Sequence, residues 1–108
     1  MTVNDWLSAR SPAPPAPLAA RLRALLGERL EDRPSTAYEE MLSTAESLLR
    51  ELLAVECAMR DRALDLLAVD ALVTYGFEAA AEQPDTLAQR ATTAMASIAA
   101  LAARTPDA

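Results

Sequence analysis

Residues 62–82 read RALDLLAVDALVTYGFEAAAE, and on a helix drawn through them large apolar side chains fall on nearly every side. A helix that is apolar all round is one that other elements enclose. Leu64, Leu66, Leu67, Val69, Leu72, Val73, Tyr75 and Phe77 cannot all face a single neighbour. The rest of the chain, or a second copy of it, is therefore expected to wrap around this segment.

Working outward toward the amino terminus, Tyr38, Met41, Leu42, Ala45, Leu48, Leu49, Leu52 and Met59 form one apolar stripe at helical spacing. Glu39, Glu40, Ser43, Glu46, Ser47, Arg50 and Glu51 take the other directions. Thr36 followed three residues later by Glu39 has the capping-box spacing that opens a helix. No Gly or Pro interrupts the chain between Ser35 and Gly76. An unbroken helix there would run about 46 residues and about 70 Å, well beyond the usual globular length. Continuing the first stripe would also put Glu56, Asp70 and Thr74 on the buried side. A break near Ala58–Asp61, with Asp61 capping the second segment, resolves both problems; a single long helix would instead demand a partner chain.

Before the stripe, Leu18, Leu22, Leu25, Leu26 and Leu30 recur at helical spacing after Pro17, which suits a first helical turn. Pro34 ends this helix, and Gly27 is placed to stop it a turn earlier. Ser11–Pro17 reads SPAPPAP, a stiff extended spacer. It separates the body from a short amphipathic turn of Val3, Trp6 and Leu7, for which Thr2 and Asp5 provide a cap. Trp6 and Leu7 thus sit on a tethered arm that either folds back or docks on a partner, because an exposed Trp/Leu pair is a liability unless covered. After the central segment, Pro84 and Asp85 mark a turn and a helix start. Leu87, Ala91, Ala94, Ile98 and Leu101 then alternate steps of four and three, with Met95 beside them.

The expected fold is all-α: a small antiparallel four-helix bundle, with helices at about 17–31, 36–58, 61–82 and 85–104. An arm over 1–16 precedes the bundle domain at 17–104, and a frayed tail follows at 105–108. At 108 residues the chain forms one domain, able to bury roughly two thirds of its unfolded surface. The apolar fraction is 52% but the aromatic fraction only 4%, so the core should be an aliphatic Leu/Ala one.

Composition also bounds function. The formal net charge is −6, and every basic residue is an arginine. An acidic chain without a clustered basic face is a poor match to a phosphate backbone, so no nucleic-acid partner is expected. The absence of histidine removes the commonest general base and metal ligand, and the Glu-x-x-His pairs of di-metal carboxylate bundles with it. Cys57 stands alone, so no intrachain disulfide or thiolate metal site is expected, and it reads as a small buried hydrophobe. With two glycines no phosphate-cradling loop is available. No catalytic residue, cofactor or metal is expected. Nor is a membrane span or a signal peptide, and a cytoplasmic location follows by default.

One constellation stands out on the central segment. Asp70, Thr74 and Glu78 lie at i, i+4 and i+8, a polar column on an otherwise apolar element. Such a column is where the helix meets the bundle surface, where it pairs with arginines of a neighbour, or where two carboxylates hold a divalent ion. Carboxylates facing solvent would favour an interaction module; carboxylates lining a cavity would favour a ligand pocket.

The run Val69–Glu78 resembles the helix of isoprenoid (polyprenyl) diphosphate synthases that reads G-D-x-L-x-x-x-A-F-E. Asp70, Leu72, Phe77 and Glu78 match, Gly76 keeps a small residue at the family's Ala, and Val69 replaces the family glycine. The resemblance implies an all-helical fold, and those enzymes condense allylic diphosphates with magnesium held by D-D-x-x-D segments. This chain has no such segment and no Arg-Arg-Gly motif. What the resemblance implies is accordingly a non-catalytic companion subunit.

Two functions follow as expectations. The first is a non-catalytic helical interaction or structural module, a homodimer whose Trp6/Leu7 arm is available to a partner. The alternative is a helical bundle that binds an apolar or prenyl ligand between its helices, with Asp70 and Glu78 at the mouth.

Overall fold

The computed structural model describes residues 1–54 and 59–103, and for 59–61, 84 and 85 the backbone alone. Among the described residues the chain is all-helical, without strands. Five α-helices run α1 Val3–Ser8, α2 Ala16–Leu26, α3 Ala37–Ala54, α4 Met59–Ala81 and α5 Pro84–Ala103, with 3-10 turns at Gly27–Glu31 and Pro34–Thr36 between α2 and α3. Cys57, the Asp61 cap, Met59 as part of the stripe and the tail 105–108 lie outside what is described.

Local chemistry accounts for most of the boundaries. Thr2 and Asp5 form the reciprocal cap of α1: the Asp5 N–H donates to the Thr2 hydroxyl at 3.2 Å and the Thr2 N–H to the Asp5 carboxylate at 2.9 Å. α2 opens with Pro15 as its cap residue and Pro17 in its first turn, where a missing N–H costs nothing. It closes at Gly27, whose φ of 53° is one that a side chain rarely tolerates. The helix expected over 17–31 is therefore an α-helix to Leu26 and a 3-10 turn beyond it.

The Thr36–Glu39 capping box is not formed. Both the N–H and the hydroxyl of Thr36 donate to the Arg33 carbonyl, at 3.0 and 2.8 Å. The Glu39 carboxylate is taken by Arg90 of α5 at 2.8 Å. A charged partner from another helix outcompetes a local cap because the ion pair adds Coulomb attraction to the hydrogen bond.

α3 and α4 are two helices packed against each other, which settles the question of one long helix. Gly76, late in α4, lies against Tyr38, Met41 and Leu42, early in α3. A Cβ at position 76 would run into the Leu42 side chain, so glycine here permits close approach of the two helices. The stripe of α3 is buried as expected at Tyr38, Met41, Leu42, Ala45 and Leu48. It meets Ala68, Leu72, Ala79 and Ala80 of α4 in one aliphatic cluster. Tyr38 and Phe77 add the only described aromatic pair, tilted at 58° with centroids 6.0 Å apart.

The N-terminal residues belong to the same cluster. Val3, Trp6 and Leu7 are buried with Leu22 and Leu26 of α2 and the α3–α4 stripe. The segment expected as a tethered arm returns across SPAPPAP and lays its short helix on the body. Its backbone is also fastened, by a 2.8 Å hydrogen bond from Val3 N–H to the Asp32 carbonyl.

Arginines fasten the remaining seams. Arg21 of α2 forms a two-point pair with Asp65 of α4, at 2.7 and 3.3 Å, a geometry specific to the planar guanidinium. Arg23 reaches Asn4 and Ser8 of α1 at 3.1 and 3.0 Å. Arg90 pairs with Glu39 and lies over the Tyr38 ring at 4.8 Å, while the Tyr38 hydroxyl donates to the Arg90 carbonyl at 2.8 Å. Arg21, Arg23 and Arg90 are thus each engaged by another helix.

Glu40, on α3, is the described carboxyl with the largest resolved change. Burial and the adjacent Asp32 carboxyl push it up to about 7 from 4.5, against the pull of Thr36 and Arg29. Its Oε2 is buried without a hydrogen-bond partner. The folded chain therefore keeps a proton on this pair that the unfolded chain has already lost. Stability from this group is full below pH 4.5 and is lost as pH rises through about 7. Glu40→Gln, which mimics the protonated form, is expected to stabilise the fold at pH 8 by about 1–2 kcal/mol and to leave it nearly unchanged at pH 4. Thermal unfolding of both proteins across that range measures the difference.

Candidate functional site

The central helix departs from its expected environment at its first half. Leu72 is 1% exposed, but Leu64, Leu66 and Leu67 are 38%, 40% and 55% exposed. Leu53, near the end of α3, is 39% exposed and Met95 of α5 is 63% exposed. Val69, Val73, Tyr75 and Phe77 are partly covered by the core. The chain's own helices thus bury one side of the second half of α4, at Leu72, Ala79 and Ala80, and leave leucines of the first half open.

Beside these leucines, α3 and α4 form a groove of about 290 Å³. One wall is Leu42, Ala45, Glu46 and Leu49 of α3; the other is Leu66, Val69, Asp70 and Val73 of α4. Ile98 of α5 adds to the lining. Both walls use the same i, i+3, i+4, i+7 spacing, which presents four side chains along one helix face. In both, the third position is the carboxylate.

Of the expected polar column, Asp70 lies on the rim of this groove, and Thr74 and Glu78 do not line it. All three are exposed. With Asp70, Thr74 and Glu78 line a second, more polar cleft of about 280 Å³, closed on its other side by Arg10, Ser11 and Pro12. Arg10 is 3.8 Å from the Glu78 carboxylate, and its guanidinium lies 3.9 Å over the Trp6 ring. The column thus lies at the surface, with an arginine beside one end of it. Among the described residues no group of three or more His, Cys, Asp or Glu side chains is placed to hold a metal ion.

Trp6 and Leu7, for which the sequence left fold-back and partner docking both open, are 3% and 4% exposed. Trp6 donates its indole N–H to Glu82 at 2.9 Å. Fold-back, rather than presentation to a partner, is the arrangement found, because the core offers the indole apolar cover and an acceptor together. Glu46 was not singled out in the sequence. Its signal was available in its position, flanked by Leu42, Ala45 and Leu49 at the edge of the α3 stripe.

No helix among the described residues is long and apolar enough to cross a membrane. Comparison with known proteins finds no family model, no curated protein and no solved structure that matches the chain.

Proposed function

We propose that this chain is a non-catalytic helical interaction module, α2–α5 forming an antiparallel bundle that self-associates through the first half of α4. The observation that carries it is the exposure of Leu64, Leu66 and Leu67. Adjacent exposed leucines on one helix are a surface that a stable monomer covers. The occupant is a second copy, because a two-fold arrangement brings the same leucines from both chains into one contact. Asp65, which lies between these leucines in sequence, is turned to α2 and paired with Arg21, while Asp70, one turn on, is an exposed carboxylate at the edge of the contact. The docking surface thereby moves from Trp6 and Leu7 to α4. Leu67→Glu is expected to convert a dimer into a monomer without loss of helix, as read by sedimentation equilibrium and circular dichroism. A variant that keeps the wild-type mass would remove α4 from the interface.

A second reading is supported by the groove itself. An apolar recess of about 290 Å³ between helices, just below the ~300–1,000 Å³ range of ligand pockets, fits a small apolar ligand. The resemblance of Val69–Glu78 to prenyl synthases is consistent with an accessory role in handling such ligands. In this reading Asp70 stands at the mouth and Glu78 does not.

A further inference from the structure

We infer that the α3–α4 groove takes a small cationic amphiphile, its aliphatic part against the leucine and valine walls and its positive nitrogen between Glu46 and Asp70. This inference rests on the second reading above and names the class of ligand. Two acidic residues line the same recess from opposite walls, at the same place in each four-residue pattern. Among the described residues neither is ion-paired, and none of the described lining residues is basic. A cation held beside these two acidic residues gains Coulomb attraction while the walls bury its hydrocarbon. An anionic head group such as a diphosphate would add a third negative centre. The volume of about 290 Å³ also favours a short chain or single ring over a long prenyl tail. The net charge of −6 concentrates cations at the surface generally, so the test must separate the groove from that background.

The experiment is calorimetric titration of the whole chain with octyltrimethylammonium, octanol and octanoate, each below its aggregation threshold. The cation is expected to bind at least tenfold more tightly than octanol, and octanoate least tightly. Glu46→Gln and Asp70→Asn should each weaken the cation three- to tenfold and leave octanol unchanged. Glu28→Gln, an exposed acid on the turn after α2, should change neither. Val69→Trp, which fills the groove, should abolish binding of both, with retained helix content confirming the fold. Equal affinity for octanol and the cation would overturn the cationic assignment while leaving an apolar site. Cation binding weakened as much by Glu28→Gln as by Asp70→Asn would overturn it as surface attraction. Absence of binding by all three compounds would overturn both the assignment and the ligand-site reading.

Discussion

Trp6→Ala is expected to destabilise the fold by about 3–5 kcal/mol, the range for removing a buried aromatic side chain. The residue is 3% exposed and lies in the same cluster as Leu22 of α2 and Leu72 of α4. Its loss opens a cavity, leaves Glu82 without the indole N–H and removes the ring beneath Arg10. For a domain of about 100 residues each kcal/mol corresponds to roughly 4–8 °C in Tm, so a fall well above 10 °C should appear in thermal unfolding. A fall of only a degree or two would mean that the N-terminal segment is a detachable arm after all. Trp6→Phe separates the contributions. It keeps most of the apolar cover and should cost about 1 kcal/mol for the lost hydrogen bond.

Gly76→Leu is expected to cost about 3 kcal/mol or more. Position 76 faces the seam between α3 and α4, where Leu42, Met41 and the Tyr38 carbonyl already occupy the space a side chain would need. Overpacking a close helix contact forces off-rotamer side chains and backbone shifts. Gly76→Ala is milder, because alanine gains about 1 kcal/mol of helix propensity and the obstructing atom is the far end of the Leu42 side chain. The pair Gly76→Ala and Leu42→Ala should then be non-additive, the double variant being more stable than the sum of the single changes allows. Strict additivity in denaturant unfolding would show that the two positions do not touch.

What could be read in advance was mostly what neighbours in sequence determine. The α3 stripe, the Thr2–Asp5 cap, the prolines at the start of α2 and the glycine at its end all act over three or four residues, and each recurs in the structure. Partners remote in sequence were not legible. Glu39 lost its local cap to Arg90, and Trp6 found its acceptor at Glu82, pairings that no periodicity encodes. The same limit applied to α4. Its all-round apolarity correctly marked it as an organising element, but could not say which leucines the other helices would reach. They reach Leu72 and leave Leu67 open.

The groove shows the same division. The spacing of Leu42, Ala45, Glu46 and Leu49 is present in the sequence, as is that of Leu66, Val69, Asp70 and Val73. That the two patterns line one space depends on how α3 and α4 pack, which the close approach at Gly76 sets. The column at Asp70, Thr74 and Glu78 was visible as a column, yet it is divided between two recesses, with Arg10 claiming its far end.

Self-association through α4 is tested most directly by the mass of the full chain in solution over a hundredfold range of concentration, by sedimentation equilibrium. The account predicts twice the chain mass of 11.5 kDa at the upper concentrations, falling toward the monomer on dilution. A constant mass of 11.5 kDa throughout, with Leu64, Leu66 and Leu67 accessible and the fold intact, would contradict it.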